Sequence, residues 1–400
     1  MALVDKVEDL STRIGNAIAN LFPDKWYSRS DLPLGQKTSI KIYPTTVVIN
    51  GKMYKNTSAV TIDLNSTSTW DSPYGYFRTG LTRGGQDVYI HACAPSSGTE
   101  PVFVLNGSTG APTSYTKETS MCIGGFHCLC TDVGTISGHT LSGYSAGDIL
   151  PLSVWDLKHY AYSGNAGMVF VNGEWVDIYL PSWDGSKLIS KKGAVIADGN
   201  SGKNPANNYG FSGESFAEYA ALAGKRLISR QTFMAAAEGT PEWSCLSTKV
   251  DPNTTGGHTD KEGLRIISNC GCEDCCGVMW QWTNELFESG CIWKDSLNSS
   301  ATLANDDTYY TNKKQMNARL GWREESVWED ARSTLGSPAA SYDTSGRGGT
   351  YSGLLRRAAV GGFYDGEGIS GTRAIFASDV SATYGSQLSA RLTSEAIEVV

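Results

Sequence analysis

Four cysteines crowd into "NCGCEDCC": Cys270, Cys272, Cys275 and Cys276, with His258 a short way upstream. Thiolates this close suit a soft divalent cation such as zinc. A structural zinc site, however, draws its ligands as two separated pairs so that the chain can wrap a tetrahedron. The C-x-C-x-x-C-C spacing crowds them on one side, and no second pair follows at finger-like distance. The alternative is buried cysteines acting as small hydrophobes. The spacing favours that reading, so no metal and no other cofactor is expected. A nucleophile and a base can be written from "GGFHCLC", with His127 beside Cys128. Neighbours in a strand point to opposite faces, so the two would not meet. His258 and Asp260 in "TGGHTD" read as a Gly-rich turn closed by local hydrogen bonds. No P-loop or H-E-x-x-H occurs. No catalytic residue is assigned, and the chain is not expected to be an enzyme.

A different kind of pattern occupies the end of the chain. Residues 361–373 read "GGFYDGEGISGTR", and Arg391 closes a similar frame further on. A core strand would alternate apolar and polar residues, and a catalytic loop would carry a nucleophile, a base or a ligand. This stretch does neither. Its glycines and arginines form a frame, and the gaps hold aromatic, acidic and small polar residues in no order.

The elements that position these residues are mostly strands. The 400 residues include 45 glycines and 19 tyrosines against 18% charged residues, which implies many turns and two or three domains. "TSIKIYPTTVVINGKMY" alternates β-branched residues around the hairpin signal Asn50–Gly51, and "SAVTIDL", "DVYIHACA" and "PVFVLNG" repeat the pattern. They suggest a β-sandwich or prism-like domain over 24–138. Ahead of it, Leu3, Val7, Leu10, Ile14, Ala17 and Leu21 follow coiled-coil spacing, and Pro23 stops the run. Residues 1–23 read as a short oligomerising helix; a single amphipathic helix lying on its own domain is the alternative.

After about His139 short strands such as "GMVFVNGEWVDIYL" mix with two helices. Ser215 is expected to cap the first, Gly224 to close it, and the second to run from about Gln231 to Glu238. "GVMWQWTNELF" reads as a buried strand in which Trp280, Trp282 and Phe287 alternate and the indole N–H groups find partners.

The net charge of −8 argues against nucleic acid and anionic membrane surfaces as partners. No window approaches a transmembrane run. The N-terminus carries Asp5, Glu8 and Asp9 and lacks a continuous apolar core, so it does not read as a secretory signal. Synthesis in a cytosol is expected, and with it no disulfide framework among the ten cysteines.

"AGKRLISRQTFMAAAEGT", "CEDCCGVMWQWTNE" and "AAVGGFYDGEGISGTRAIF … LSARL" stand in order over about 215–392. Together they resemble the formylglycine-generating, sulfatase-modifying family, whose motifs run G-K-R-L-P-T, D-M-x-G-N-V-W-E-W-T-x-D and R-G-G-S-W … R … G-F-R. The resemblance implies an α+β fold: the formylglycine-generating variant of the C-type lectin fold, over 139–400. That family's enzymes carry two cysteines in the terminal motif. The matching positions here are Gly366 and Gly371, so the resemblance reaches the scaffold and not the oxidase chemistry.

The same terminal stretch is similar to the variable region of target proteins of diversity-generating retroelements, which include the phage major tropism determinants. "GGFHCLC", "AGDILPLSVWDLKH", "GEWVDIYLPS" and the heptad N-terminus also look phage-encoded. The resemblance implies a variable region at about 350–392, with Gly361, Gly362, Gly371, Arg373 and Arg391 as scaffold. The ligand-contacting set would be Phe363, Tyr364, Asp365, Glu367, Ile369, Ile375, Phe376, Asp379, Thr383, Tyr384 and Ser386. Such a mixture of aromatic and small polar groups has the chemistry of a paratope.

The implied function is a receptor-binding, tail-tip adhesin of a phage virion, made in the bacterial cytoplasm. Its partners would be a host surface receptor, protein before glycan, tail or baseplate proteins through the N-terminus, and two further copies in a homotrimer. Neither nucleic-acid binding nor membrane insertion is expected. The alternatives are an inactive or divergent enzyme of the formylglycine type and a fixed structural virion protein.

Overall fold

Branched side chains pack well on a pleated surface, and the Val-, Ile- and Thr-rich runs after Lys25 all become short strands. The computed structural model describes residues 25–204, 209–288, 355–367, 370–376 and 381–399. The heptad segment 1–23, Cys291, Ile369 and Asp379 lie outside the described residues.

Two compact units result: residues 25–128 with 146–160 and 397–399, and residues 129–145 with 161–396. The sequence suggests one boundary near 138. Instead the chain returns to the first unit, where Trp155 pairs with Gly125 and Asp156 with Gly124. A linear reading cannot register such a return, because the pairing partner lies 30 residues upstream.

The first unit contains β1 (Lys25–Arg29), β2 (Leu34–Gln36), β3 (Ser39–Ile42), β4 (Thr45–Ile49), β5 (Lys52–Asn56) and β6 (Val60–Asp63). It continues with β7 (Asp87–Cys93), β8 (Val102–Asn106), β9 (Ser120–His127), β10 (Trp155–Asp156) and the start of β11 (His159–Ala161). The strands run β1-β4-β5, β2-β3-β6 and β8-β7-β9-β10-β11. Asn50 and Gly51 take φ values of 50° and 68°, as a two-residue hairpin needs, and Ile49 pairs with Lys52 across them. The core holds Ile40, Val47, Ile62, Trp70, Val88, Leu105 and Phe126. Asp156 is fully buried among these strands and is satisfied by the Tyr27 hydroxyl at 2.8 Å, two backbone N–H groups and the Arg29 guanidinium.

The second unit opens on the hairpin of β12 (Met168–Val171) and β13 (Glu174–Asp177), followed by β14 (Pro181–Trp183) and β15 (Leu188–Ser190). Helix α1 (Gly213–Leu222), β16 (Arg226–Leu227) and helix α2 (Arg230–Ala237) come next. The N-cap of α1 is Ser212 rather than Ser215. Ser215 stands at the third helical position and closes a reciprocal capping box, its hydroxyl accepting from Ser212 N at 2.7 Å. Gly224, at φ 70°, follows the helix end as expected. Ser229 caps α2.

The terminal strands are β17 (Trp280–Glu288), β18 (Leu355–Gly361), β19 (Gly371–Phe376), β20 (Leu388–Ala390) and β21 (Leu392–Glu398). They form the sheet β19-β18-β17-β20, in which β20 runs parallel to β17, while β21 pairs with β13 and β16. Trp282 is fully buried, yet its indole N–H has no hydrogen-bond partner among the described residues, contrary to the expectation for this tryptophan. No described helix is long and apolar enough to cross a membrane.

Candidate ligand-contact surface

The glycine–arginine frame is built into the second unit's core. Gly361 and Gly362 adopt φ values of 93° and 87°, a region that costs any other residue strain. Space is also closed there. A Cβ on Gly361 would lie 2.3 Å from the Cys275 carbonyl, and one on Gly362 2.1 Å from Ser370 Oγ. Gly371 differs, because its φ lies outside that region. A Cβ there would meet Glu242 Oε2 at 2.1 Å, so its part in the frame is steric.

Arg391 is fully buried. Its Nε donates to Gln281 Oε1 at 2.7 Å, Nη1 to the carbonyls of Asp177 (2.7 Å) and Ile178 (2.9 Å), and Nη2 to that of Glu273 at 2.6 Å. One guanidinium fork therefore ties β13, β17 and the cysteine-rich loop to the last strands. Arg373 has a different setting. It is half-buried on β19 and lines an open cleft of about 820 Å³ with Arg230, Glu238, Glu242 and Glu285.

Between these anchors, Gly366 N donates to the Phe363 carbonyl at 2.8 Å, and Ser370 Oγ donates to the Gly366 carbonyl at 2.9 Å. Phe363 is half-buried, with its ring nearly parallel to Trp280 at 6.5 Å; Phe376 lies against the same indole at 5.6 Å. Tyr364 packs edge-on to Phe363 and rests on a cluster of Leu246, Ile266 and Val278. Asp365 and Glu367 are exposed. In the second loop Thr383 and Ser386 are half-buried, and Tyr384 is 46% exposed. Ile375 departs from the expected set. Its side chain is fully buried in β19, opposite Val360, and presents nothing to a ligand.

Four residues that the sequence reading passed over touch this surface. Glu242 accepts from Thr372 N at 3.1 Å and from Thr372 Oγ1 at 2.6 Å. The residue is exposed at the cleft, but crowding of its carboxyl by the surrounding chain raises the pKa, against the pull of these hydrogen bonds and of the Arg373 charge. Lys249 Nζ donates to Glu367 Oε2 at 2.9 Å, and Lys261 reaches the other carboxylate oxygen. Led by the Lys261 hydrogen bond, the two hold the Glu367 carboxyl down to about 2. Tyr209, 64% exposed, stacks on Tyr384 at 5.7 Å. No local signal marks any of them, since their partners stand more than 100 residues away along the chain.

The other candidate chemistry is accounted for by packing. Cys270, Cys272, Cys275 and Cys276 are all buried, with Cys270 Sγ 3.7 Å from Cys272 Sγ and 3.1 Å from the Ala236 carbonyl. Among the described residues no group of three or more His, Cys, Asp or Glu is arranged to hold a metal ion. His127 Nδ1 lies 2.8 Å from Asp87, and burial pushes the Cys128 thiol up, away from the thiolate a nucleophile needs. His258 Nδ1 pairs with the buried Asp274 at 2.8 Å, while Asp260 accepts from the N–H groups of Glu262 and Leu264.

The fold is similar to that of the major tropism determinants. Solved structures of the Major Tropism Determinant P3c and U1 variants superpose with TM-scores of 0.65 and 0.61, each at 23% identity. They cover 95% and 93% of this chain, and 88% and 84% of their own. Residues 35–156 match the family model described as the Mtd second domain. The chain is also 30% identical over 260 residues to the tail fiber receptor-binding protein of Bordetella phage BPP-1. That match spans 60% of this chain and 61% of the relative. The resemblance to phage tropism determinants read from the terminal motifs is borne out.

Proposed function

We propose that the chain is a phage receptor-binding, tail-tip adhesin that displays a diversified surface to a host cell-surface ligand. The observation that carries this is its similarity to a tail fiber receptor-binding protein. The arrangement of the C-terminal segment supports it: buried anchors at Gly361, Gly362 and Arg391 flank half-exposed aromatic, acidic and hydroxyl side chains. That division suits a protein whose contacts change while its fold does not.

The contact set is Phe363, Tyr364, Asp365, Phe376, Thr383, Tyr384 and Ser386, joined by Ile369 and Asp379 outside the described residues; Glu367 is taken up below. The finer reading is a formylglycine-generating-type lectin fold for the second unit and a homotrimer joined through a helix at 1–23. Weak contacts from three copies then gain by avidity. A protein receptor is favoured, because Tyr and Phe supply rigid area while Asp, Ser and Thr supply hydrogen bonds. Attachment to tail or baseplate proteins falls to the N-terminus, the virion is the site of action, and no catalysis is assigned.

The test is binding of the purified chain to host cells, alongside sequencing of the gene's 3′ end from many clones with its flanking DNA. Binding that is lost on protease treatment of the cells, with substitutions confined between Gly362 and Arg391 and matched to adenines of a nearby template repeat, supports the reading. An invariant terminus without a template sinks the diversified surface, and absence of cell binding sinks the adhesin.

A further inference from the structure

We propose that the segment 242–261 is a cradle for the described residues 361–367 and 370–372, with Glu242, Lys249 and Lys261 as positioning residues, and that Glu367 is the turn's clasp rather than a ligand contact. The inference rests on the binding role proposed above. Three contacts carry it. The Glu242 carboxylate accepts from the backbone and side chain of Thr372. Trp243 N donates to the Ser370 carbonyl at 2.8 Å. The ammonium groups of Lys249 and Lys261 take one oxygen each of Glu367, and Lys249 stands 3.8 Å from Asp365.

The cradle itself is anchored. Leu246 N donates to the Gly277 carbonyl at 3.1 Å, Lys261 N to the Cys245 carbonyl at 3.2 Å, and Ser244 Oγ to the buried Asp260 at 2.9 Å. Two of its residues, Trp243 and Lys249, hold φ values of 61° and 52°. Side chains other than glycine keep such a backbone only where the surroundings over-determine it. Both residues are contact points to the turn.

The three contacts differ in kind, and the difference sets what each can do. Those at Thr372 and Ser370 address the turn mainly through its backbone, so they survive exchange of the residues at 363–365. The third addresses a side chain and closes only while position 367 is acidic. Exposed ion pairs are individually weak. Their consequence is therefore expected in the order of one turn and in the binding it supports, not in global stability.

Hydrogen exchange of the amides over 361–372 and binding to host cells are measured on the full chain for five forms. These are wild type, K249A/K261A, K249E/K261E, K249E/K261E/E367K and E367Q. Removing the lysines is expected to speed exchange and weaken binding by roughly two- to fivefold. Charge reversal is expected to do more, and adding E367K to restore both. E367Q should speed exchange as the lysine pair does. Unchanged exchange in K249A/K261A, or failure of E367K to restore, overturns the proposal. So does an E367Q variant that binds less without faster exchange, since Glu367 would then be a direct contact. If wild type binds no cells, the adhesin reading fails, while the exchange data still decide whether the cradle orders the turn.

Discussion

Arg391 and Tyr384 stand seven residues apart and live under opposite constraints. Arg391 is fully buried and makes four hydrogen bonds to groups that have no water to fall back on. Tyr384 is nearly half exposed, and its described ring contact is another exposed tyrosine, Tyr209. The same contrast separates Gly361 and Gly362 from Tyr364 and Asp365 just after them. Buried polar groups punish any change, because a lost partner leaves a desolvated acceptor behind. Exposed side chains can be exchanged at little cost to the fold. A segment that alternates the two kinds can therefore hold its shape while its surface chemistry turns over.

The comparison breaks most sharply at Arg391. Arg391→Lys keeps the charge but cannot reproduce the fork, leaving several of its acceptors unpaired. A loss of about 3–5 kcal/mol in urea unfolding is expected; a loss under 1 kcal/mol would mean the frame is not where stability lies. Gly362→Ala combines the wrong φ with a clash at Ser370 and should cost about 2 kcal/mol in the same measurement.

A smaller effect is expected from His258 and Asp274. Burial pulls the His258 pKa down, but the charge and hydrogen bond of Asp274 outweigh it and the net shift is upward. Its contribution is full below about 6.5 and fades as pH rises through the folded value. For Asp274, burial pushes up, His258 and a backbone hydrogen bond pull down, and the net shift is downward. Its contribution is full above about 3.9 and is lost as pH falls through the folded value. The pair therefore supports the fold most between about pH 4 and 6.5. His258→Gln should flatten the pH dependence of unfolding on both sides of that window by about 1 kcal/mol.

The smallest stability effect belongs to the surface. Tyr384→Ala and Thr383→Ala should each change unfolding by no more than about 0.5 kcal/mol, yet lower host-cell binding. A large destabilisation would move these residues from the contact set into the frame.

Much of the fold was legible where the signal is local. Asn50–Gly51 announces its hairpin because only a few residue types accept two positive φ values in succession. Trp280 and Trp282 announce a buried strand. The two helices were found as well, although the cap slipped by three residues, since Ser212 and Ser215 both carry the hydroxyl a capping box needs. Other features were illegible for equally physical reasons. Ile375 reads as one more filled gap, and only its burial in the folded sheet shows that it points inward. Gly371 looks like its neighbours in the frame, but its constraint is a carboxylate from Glu242, more than 100 residues earlier.

The sequence by itself determined the local conformations: where strands turn and where helices end. Steric limits on the backbone act within a few residues, so they can be read from a few residues. The tertiary structure decided which side chains share a neighbourhood. Glu242, Lys249 and Lys261 meet the terminal turn only because the chain folds back on itself, and hydrogen bonds and ion pairs depend on distance in space rather than along the chain.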